Sequence, residues 1–112
     1  GVTVSDITIQ QGVKGGRSWP VTNPDDSPAT LTDYTARAEV RKSEEQTSTL
    51  LATLNTSIVG SDVIVQWGDI ETRAWTWGSG YADVILLDAT GEGVLVVWQG
   101  QVKIDKVVTS RA

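Results

Sequence analysis

The sequence predicts an all-β fold: an antiparallel β-sandwich of seven to eight short strands with one short helical turn. Three observations support this prediction. Apolar residues alternate with polar ones in several short segments, which is the period of a half-buried strand. Turn-forming residues separate these segments at intervals of about 8–12 residues, a spacing typical of sandwiches and barrels. No repeat or low-complexity linker divides the chain, so residues 1–112 are expected to form a single domain.

The first half of the chain contains three strand segments and one marked turn. Residues 4–10 and residues 14–22 each place apolar side chains two positions apart, as an extended segment requires. Residues 23–28 combine two prolines with Asn, Asp and Ser, which are the residue types of a tight turn. Residues 34–42 alternate most regularly and carry charged side chains on one face. This pattern predicts a half-buried antiparallel strand with a charged outer face.

The second half contains five further strand segments. Residues 89–93 include two glycines and predict a hairpin loop, because glycine readily adopts a positive φ. Gly100 interrupts an otherwise continuous strand pattern and predicts a bulge or a sharp bend. The segments are residues 50–54, 62–67, 81–88, 94–99 and 101–108.

Residues 69–77 fit either a helix or a strand, and we favour one helical turn. Asp69 is a good helix N-cap. An extended segment would instead place Trp75 and Trp77 on one face. We expect the turn to end at the glycines within residues 78–80. The expected helical face consists of Ile70, Ala74 and Trp77.

Residues 80–83, with the sequence Gly-Tyr-Ala-Asp, follow this turn and begin a strongly apolar strand. This order resembles the tyrosine corner of immunoglobulin-like sandwiches, where the tyrosine hydroxyl bonds to backbone and the ring packs inside. We therefore expect an immunoglobulin-like sandwich with Tyr81 at the corner. The disulfide of antibody domains cannot form, because the chain contains no cysteine.

The composition argues against most enzyme classes. Histidine and cysteine are both absent, which excludes a Ser-His-Asp triad, a thiolate nucleophile and a cysteine–histidine zinc site. The formal net charge of −5 without a basic stripe disfavours nucleic acid as a partner. The longest apolar run, residues 93–98, is far shorter than a membrane span. We expect no enzyme activity, no cofactor, no metal site, and no nucleic-acid or membrane partner.

Tryptophan is the main aromatic residue, since the chain has five tryptophans and no phenylalanine. Trp19, Trp67 and Trp98 lie in strand segments with apolar neighbours two positions away, so we expect them in the core. Trp75 and Trp77 flank a glycine-rich corner. We expect at least one of these two to be exposed, where it can anchor a partner or stack on a sugar ring.

Four segments, in their order along the chain, resemble small β-sandwich virion proteins of tailed bacteriophages. They are most similar to the LtfC-like sandwich of mycobacteriophage-type siphophages and to baseplate or tail-fibre attachment domains. The resemblance covers nearly the whole chain. Each motif is short, and their order is the specific feature. The segments are residues 5–12, residues 31–41, residues 80–88, and residues 99–104 together with 107–109.

The resemblance implies a structural protein of the virion tail, made in the bacterial cytoplasm and carrying no catalytic residues. Its expected partners are other phage tail proteins or copies of itself, bound through apolar and edge-strand contacts. A second hypothesis is a carbohydrate-binding or receptor-binding module that uses exposed tryptophans on a host cell-wall glycan. The candidate interface residues are Trp75, Trp77, Tyr81 and Arg41, the last of which ends its strand segment with a polar group.

Overall fold

The predicted strands form two facing β-layers in a computed structural model, which describes residues 3–4, 6–45 and 47–106. The prediction of an all-β fold of seven to eight strands with one helical turn is confirmed. The elements are β1 (Thr3–Val4), β2 (Ile7–Gln10), β3 (Gly15–Pro20), β4 (Thr35–Arg41), β5 (Leu50–Val59), β6 (Asp62–Trp67), α1 (Asp69–Arg73), β7 (Ser79–Leu87) and β8 (Gly93–Asp105).

The strand order is that of an immunoglobulin-like sandwich. One layer contains β1 and β2 beside β8, followed by β7, β4 and the first half of β5. The other layer contains the second half of β5, β6 and β3. The separation of β4, β7 and β8 from β3 and β6 matches the division of immunoglobulin strands between two sheets. The predicted antiparallel arrangement holds for every pair except β1 and β2, which both run parallel to β8.

The core lies between the two layers and is centred on Trp98 of β8. Only 1% of Trp98 is exposed, and the Trp19 ring of β3 stacks on it with 5.8 Å between ring centroids. The expected core positions of Trp67 and Trp98 are confirmed, while Trp19 is partly buried and packs against the core. Among the described residues, the other large apolar side chains that are fully buried are Ile9, Val40, Val63, Val65, Val84 and Val102.

The boundaries of the predicted strands shift by one or two residues in several cases, and two segments differ more from the structure. The segment at residues 50–54 continues to Val59, because its polar second half forms a ladder with β6. The Thr56 hydroxyl also donates a 2.7 Å hydrogen bond to the Ala36 carbonyl, which ties β5 to β4. The segment predicted at residues 4–10 forms two short strands, β1 and β2. Ser5 within it lies outside the described residues.

Gly100 does not form the predicted bulge or bend, since it pairs in register with Ala82 inside one continuous strand, β8. The register shifts lie earlier, where β8 inserts extra residues opposite Val84/Ile85 and Leu86/Leu87. The extra residue at the first shift allows the consecutive side chains of Val97 and Trp98 both to be buried. Residues 107–108 of the predicted last strand lie outside the described part of the chain.

The helical turn is confirmed, but its details differ from the prediction. Gly68, not Asp69, is the N-cap, and its N–H donates to the Glu71 carboxylate over 3.4 Å. Ile70 is 68% exposed, so the expected apolar face is not the buried one. Thr72 is the buried residue of the helix, because its hydroxyl has hydrogen-bonding partners inside the protein. Ser79 and Gly80 belong to β7 and do not form part of a loop.

Both predicted turns are confirmed. At residues 23–28, Asp26 has a φ of +67°, and the Asp25 carboxylate accepts a 3.1 Å hydrogen bond from the Ser27 N–H. In the hairpin between β7 and β8, Gly91 has a φ of +85°. Glycine adopts this conformation without the steric cost of a Cβ.

We expect Gly80→Ala to lower the free energy of unfolding by about 1–3 kcal/mol, since overpacking a filled core has this cost. An added Cβ would lie 2.7 Å from Val40 Cγ1 and 2.9 Å from the Arg41 carbonyl oxygen. Gly78→Ala is the matched control, because nothing lies within 4 Å of a Cβ there. Urea denaturation should leave that variant unchanged or up to about 1 kcal/mol more stable. Equal stability of the two variants would contradict this packing.

Candidate interaction surface

The outer face of the layer formed by β4, β7 and β8 carries a polar groove with a volume of about 710 Å³. Strand alternation creates it, because every second residue of these strands points into the core and its neighbours point outward. We call it the outer-face groove. The residues that define it are Glu39, Arg41, Tyr81, Asp83, Gln99 and Gln101.

Two of the four predicted site residues, Arg41 and Tyr81, lie side by side in this groove. Their Cα atoms are paired in the ladder between β4 and β7. Arg41 Nη1 donates to the Ser48 carbonyl over 2.8 Å, and Arg41 Nη2 lies 3.5 Å from Glu39 Oε1. The structure thus identifies the partners of the polar group that ends β4.

The predicted tyrosine corner is wrong. Tyr81 is half-buried on the outer face, because Gly80 and Ala82 on either side of it take the inward positions. Its hydroxyl accepts a 3.2 Å hydrogen bond from the Gln101 side chain on the neighbouring strand, whereas the corner would require a backbone partner. Tyr81 therefore belongs to the groove and does not brace a turn.

Asp83 is one of the groove residues that the sequence analysis missed, together with Glu39, Gln99 and Gln101. It pairs directly with Glu39 across the β4–β7 ladder, so two carboxyl groups face each other on the outer surface. Burial raises the pKa of the Asp83 carboxyl, and the Glu39 carboxylate raises it further. The guanidinium groups of Arg37 and Arg41 oppose this rise. The sequence did contain a signal for Asp83. It lies two residues after Tyr81, and residues two positions apart in a strand share one face.

Trp75 and Trp77 do not line the outer-face groove. The expectation that at least one is exposed is wrong: both are half-buried and pack against the core. Their ring centroids are 5.0 Å apart, and Trp77 Nε1 is buried without a hydrogen-bond partner in the described structure. The segment is fixed in place because the Gln11 side chain donates to the Trp75 carbonyl over 3.1 Å.

The same segment is held by the buried side chain of Thr72. The Gly12 N–H donates to Thr72 Oγ1 over 2.8 Å, and the Thr72 hydroxyl donates to the Asp69 carbonyl over 3.1 Å. These bonds join the loop after β2 to α1. They explain why a five-residue helix, which is too short to be stable alone, keeps its position.

We expect Thr72→Val to lower the free energy of unfolding by about 1–3 kcal/mol, because it leaves the half-buried Gly12 N–H without its acceptor. Valine has nearly the shape of threonine, so a loss of stability would reflect the missing hydroxyl and not a change in packing. Thr72→Ser keeps the hydroxyl, and we expect it to retain the Gly12 bond. Urea denaturation of both variants makes the comparison. A valine variant as stable as the wild type would contradict this role.

We expect Asp83→Asn to alter the pH dependence of stability. A carboxyl group whose pKa is raised by folding stabilises the folded state most when protonated, so its contribution is lost as pH rises through the raised pKa. As the pH rises through this raised pKa, the free energy of unfolding of the wild type should therefore fall relative to that of Asp83→Asn. The variant should be the more stable of the two at neutral pH. Urea denaturation between about pH 3 and pH 7 measures this difference.

Asp62→Asn is the matched control, since Asp62 is exposed on β6 in the opposite layer. We expect its stability difference from the wild type to change less with pH than that of Asp83→Asn. If the free energies of unfolding of Asp83→Asn and the wild type changed with pH by the same amount, this result would contradict the electrostatic account of the groove.

Among residues 3–4, 6–45 and 47–106, no three acidic side chains are grouped as metal ligands would be. The same residues include no helix long and apolar enough to span a membrane.

Comparison with known proteins identifies no family for the chain. No family model matches the chain, and no curated protein matches it. Among solved structures, the chain is similar to one described as "Solution NMR structure of titin I27 domain mutant". The two share 8% sequence identity over 96% of this chain and 87% of that chain, with a TM-score of 0.41.

Proposed function

We propose that this protein is a non-enzymatic structural domain that acts through protein–protein contacts in the virion of a tailed bacteriophage, at the tail tip, baseplate or tail-fibre attachment. One observation carries the proposal. Arg41, Tyr81 and Asp83 come together in the outer-face groove on two adjoining strands, β4 and β7.

The groove suits a protein partner because it offers hydrogen-bond donors, hydrogen-bond acceptors and charged groups of both signs. Arg41 presents a guanidinium, Tyr81 a ring with a polar tip, and Asp83 a carboxyl group. Tyrosine and arginine are enriched at the energetic centres of protein interfaces. All three side chains are half-buried, so they are already partly ordered before a partner binds.

The non-enzymatic part of the proposal rests on the residue inventory and on the bonds within the groove. The chain has no imidazole or thiol to act as base or nucleophile near neutral pH. The Arg41 guanidinium bonds to Ser48 and approaches Glu39, and the Tyr81 hydroxyl bonds to Gln101. These contacts hold the side chains as a recognition surface.

The phage-tail setting rests on the sequence resemblance. Within the described residues, its segments correspond to β2, β4, β7 and β8. These strands belong to the single layer that carries the outer-face groove. The four segments therefore contribute strands to the layer whose outer face the proposal assigns to binding.

The alternative of a glycan-binding module receives no support from the tryptophans. A stacking platform needs an open aromatic face. Trp75 and Trp77 are half-buried against the core and lie close against each other.

Immunogold electron microscopy of phage particles, with antibody raised to the purified domain, tests the proposal. We expect label at the tail end of particles from a host that makes the protein. Particles of the same phage with the gene deleted provide the background, and complementation of this deletion with the protein during assembly in the host should restore the label. Unlabelled particles from a lysate that contains the protein would overturn the virion assignment.

The same complementation tests the groove. We expect Tyr81→Ala to weaken attachment by about 30-fold, the effect of removing a hot-spot side chain worth about 2 kcal/mol. Arg17→Ala is the control, because Arg17 is exposed on β3 in the opposite layer. Equal tail labelling by the two variants would exclude the groove as the attachment surface.

A further inference from the structure

Asp83 carries a carboxylate without a counter-ion in the middle of the outer-face groove. It lies on β7 between two described strands, where its ladder partners are Glu39 on β4 and Gln99 on β8. One neighbour is thus a second carboxylate, and the other is a neutral amide. Within the described residues, the Asp83 carboxylate has no hydrogen bond, and no cation lies within 4.0 Å of it.

The two arginines of the groove contact Glu39 and leave Asp83 without a cation. Arg41 Nη2 lies 3.5 Å from Glu39 Oε1, and Arg37 Nε lies 4.0 Å from the same oxygen. The other end of the Arg41 guanidinium donates to the Ser48 carbonyl over 2.8 Å. The cations that this chain supplies to the groove are therefore already used, and Asp83 is left over.

This arrangement costs the isolated domain free energy. Like charges that face each other across a ladder destabilise a sheet. Asp83 is also half-buried, so its carboxylate has lost part of its hydration. Burial and the Glu39 carboxylate both raise the pKa of Asp83, which agrees with this description. A cation that enters the groove from outside would offset both costs.

The groove residues beside Asp83 suit a long side chain that ends in a cation. Tyr81 and Ile85 lie two residues before and after it on the same face of β7, each about 7 Å away along the strand. They offer apolar surface to a methylene stem, while the carboxylate between them offers a site for the charged head. The Gln101 side chain donates to the Tyr81 hydroxyl over 3.2 Å and helps to hold the ring.

We propose that the outer-face groove binds an arginine side chain of a partner protein, with its guanidinium on the Asp83 carboxylate and its plane against the Tyr81 ring. The proposal rests on the proposed function, because it names the chemistry of the partner at the same site. Arginine fits better than lysine, since its planar fork donates two parallel hydrogen bonds to one carboxylate. A guanidinium also stacks on an aromatic face.

The charge of the whole groove favours a basic partner. Five carboxylates and two guanidinium groups line it. Glu44 and Glu45 at one end form no ion pair within the described residues. The formal net charge of −5 acts in the same direction, because it attracts a basic partner and repels a second copy of this chain. We therefore assign the arginine to a different protein.

Titration of the ¹⁵N-labelled full chain with a short peptide, monitored by NMR, tests the proposal. The probe is a blocked pentapeptide with one central arginine between threonines and glycines. We expect saturable shifts of the backbone amides of Tyr81, Asp83 and Gln101, with a dissociation constant of about 1–10 mM for so small a ligand. The same peptide with citrulline, which has the shape of arginine without its charge, should produce no saturable shift. The lysine peptide should bind more weakly than the arginine peptide.

Two variants separate the Asp83 carboxylate from the overall charge of the protein. We expect Asp83→Asn to weaken binding of the arginine peptide about tenfold or more, because it removes a charge-assisted hydrogen-bonded pair. Asp62→Asn is the matched control, since it changes the net charge by the same amount on the opposite layer. We expect it to leave binding nearly unchanged. The ¹⁵N spectra themselves establish that both variants are folded.

Three results would overturn the proposal: no saturable shift with the arginine peptide, equal binding of the citrulline peptide, or equal binding by Asp83→Asn and Asp62→Asn. Equal binding of the lysine peptide would overturn the assignment to arginine. In each case, label at the phage tail would leave the proposed function intact. Arginine binding that depends on Asp83, together with tail particles that carry no label, would support the arginine site and overturn the proposed function instead.

Discussion

The fold depends on burying the Trp98 ring between two β-layers. The chain has no phenylalanine or methionine, so tryptophan is its largest apolar filler. Removing about 200 Å² of aromatic surface from water contributes about 5 kcal/mol before entropy is counted. Trp19 covers Trp98 from the facing layer, and this stack joins strands that share no hydrogen-bonded ladder. The long strand β5 also links the layers, because its first half pairs with β4 and its second half pairs with β6.

The outer-face groove is a consequence of the same burial. A strand that points Val40 or Val84 into the core must point the neighbouring side chains outward. Cross-strand registry then brings Arg41 beside Tyr81 and Glu39 beside Asp83. The raised pKa of Asp83 follows from this crowding, because the carboxyl is partly withdrawn from water and faces a second carboxylate. The polar outer surface and the apolar core therefore both result from the same inward and outward alternation of side chains along the strands.

One strand, β8, takes part in both the core and the groove. Its middle buries Trp98, and its outward residues Gln99 and Gln101 line the groove. The register shift beside Trp98 lets the strand bury both Val97 and Trp98, and the alternation that follows turns Gln99 outward again. A partner in the groove would thus contact the same strand that fills the core.

The sequence by itself determined the all-β class, most strand positions, both turns and the helical turn, because alternation and turn chemistry are local properties. It also selected Arg41 and Tyr81 as candidates, which the structure pairs in one groove, although it assigned Tyr81 to a corner. Only the tertiary structure decided which face each strand buries, that Trp75 and Trp77 are half-buried, and that Asp83 faces Glu39. The reason is that burial and pairing depend on contacts between residues distant in the chain, and sequence periodicity does not specify those neighbours.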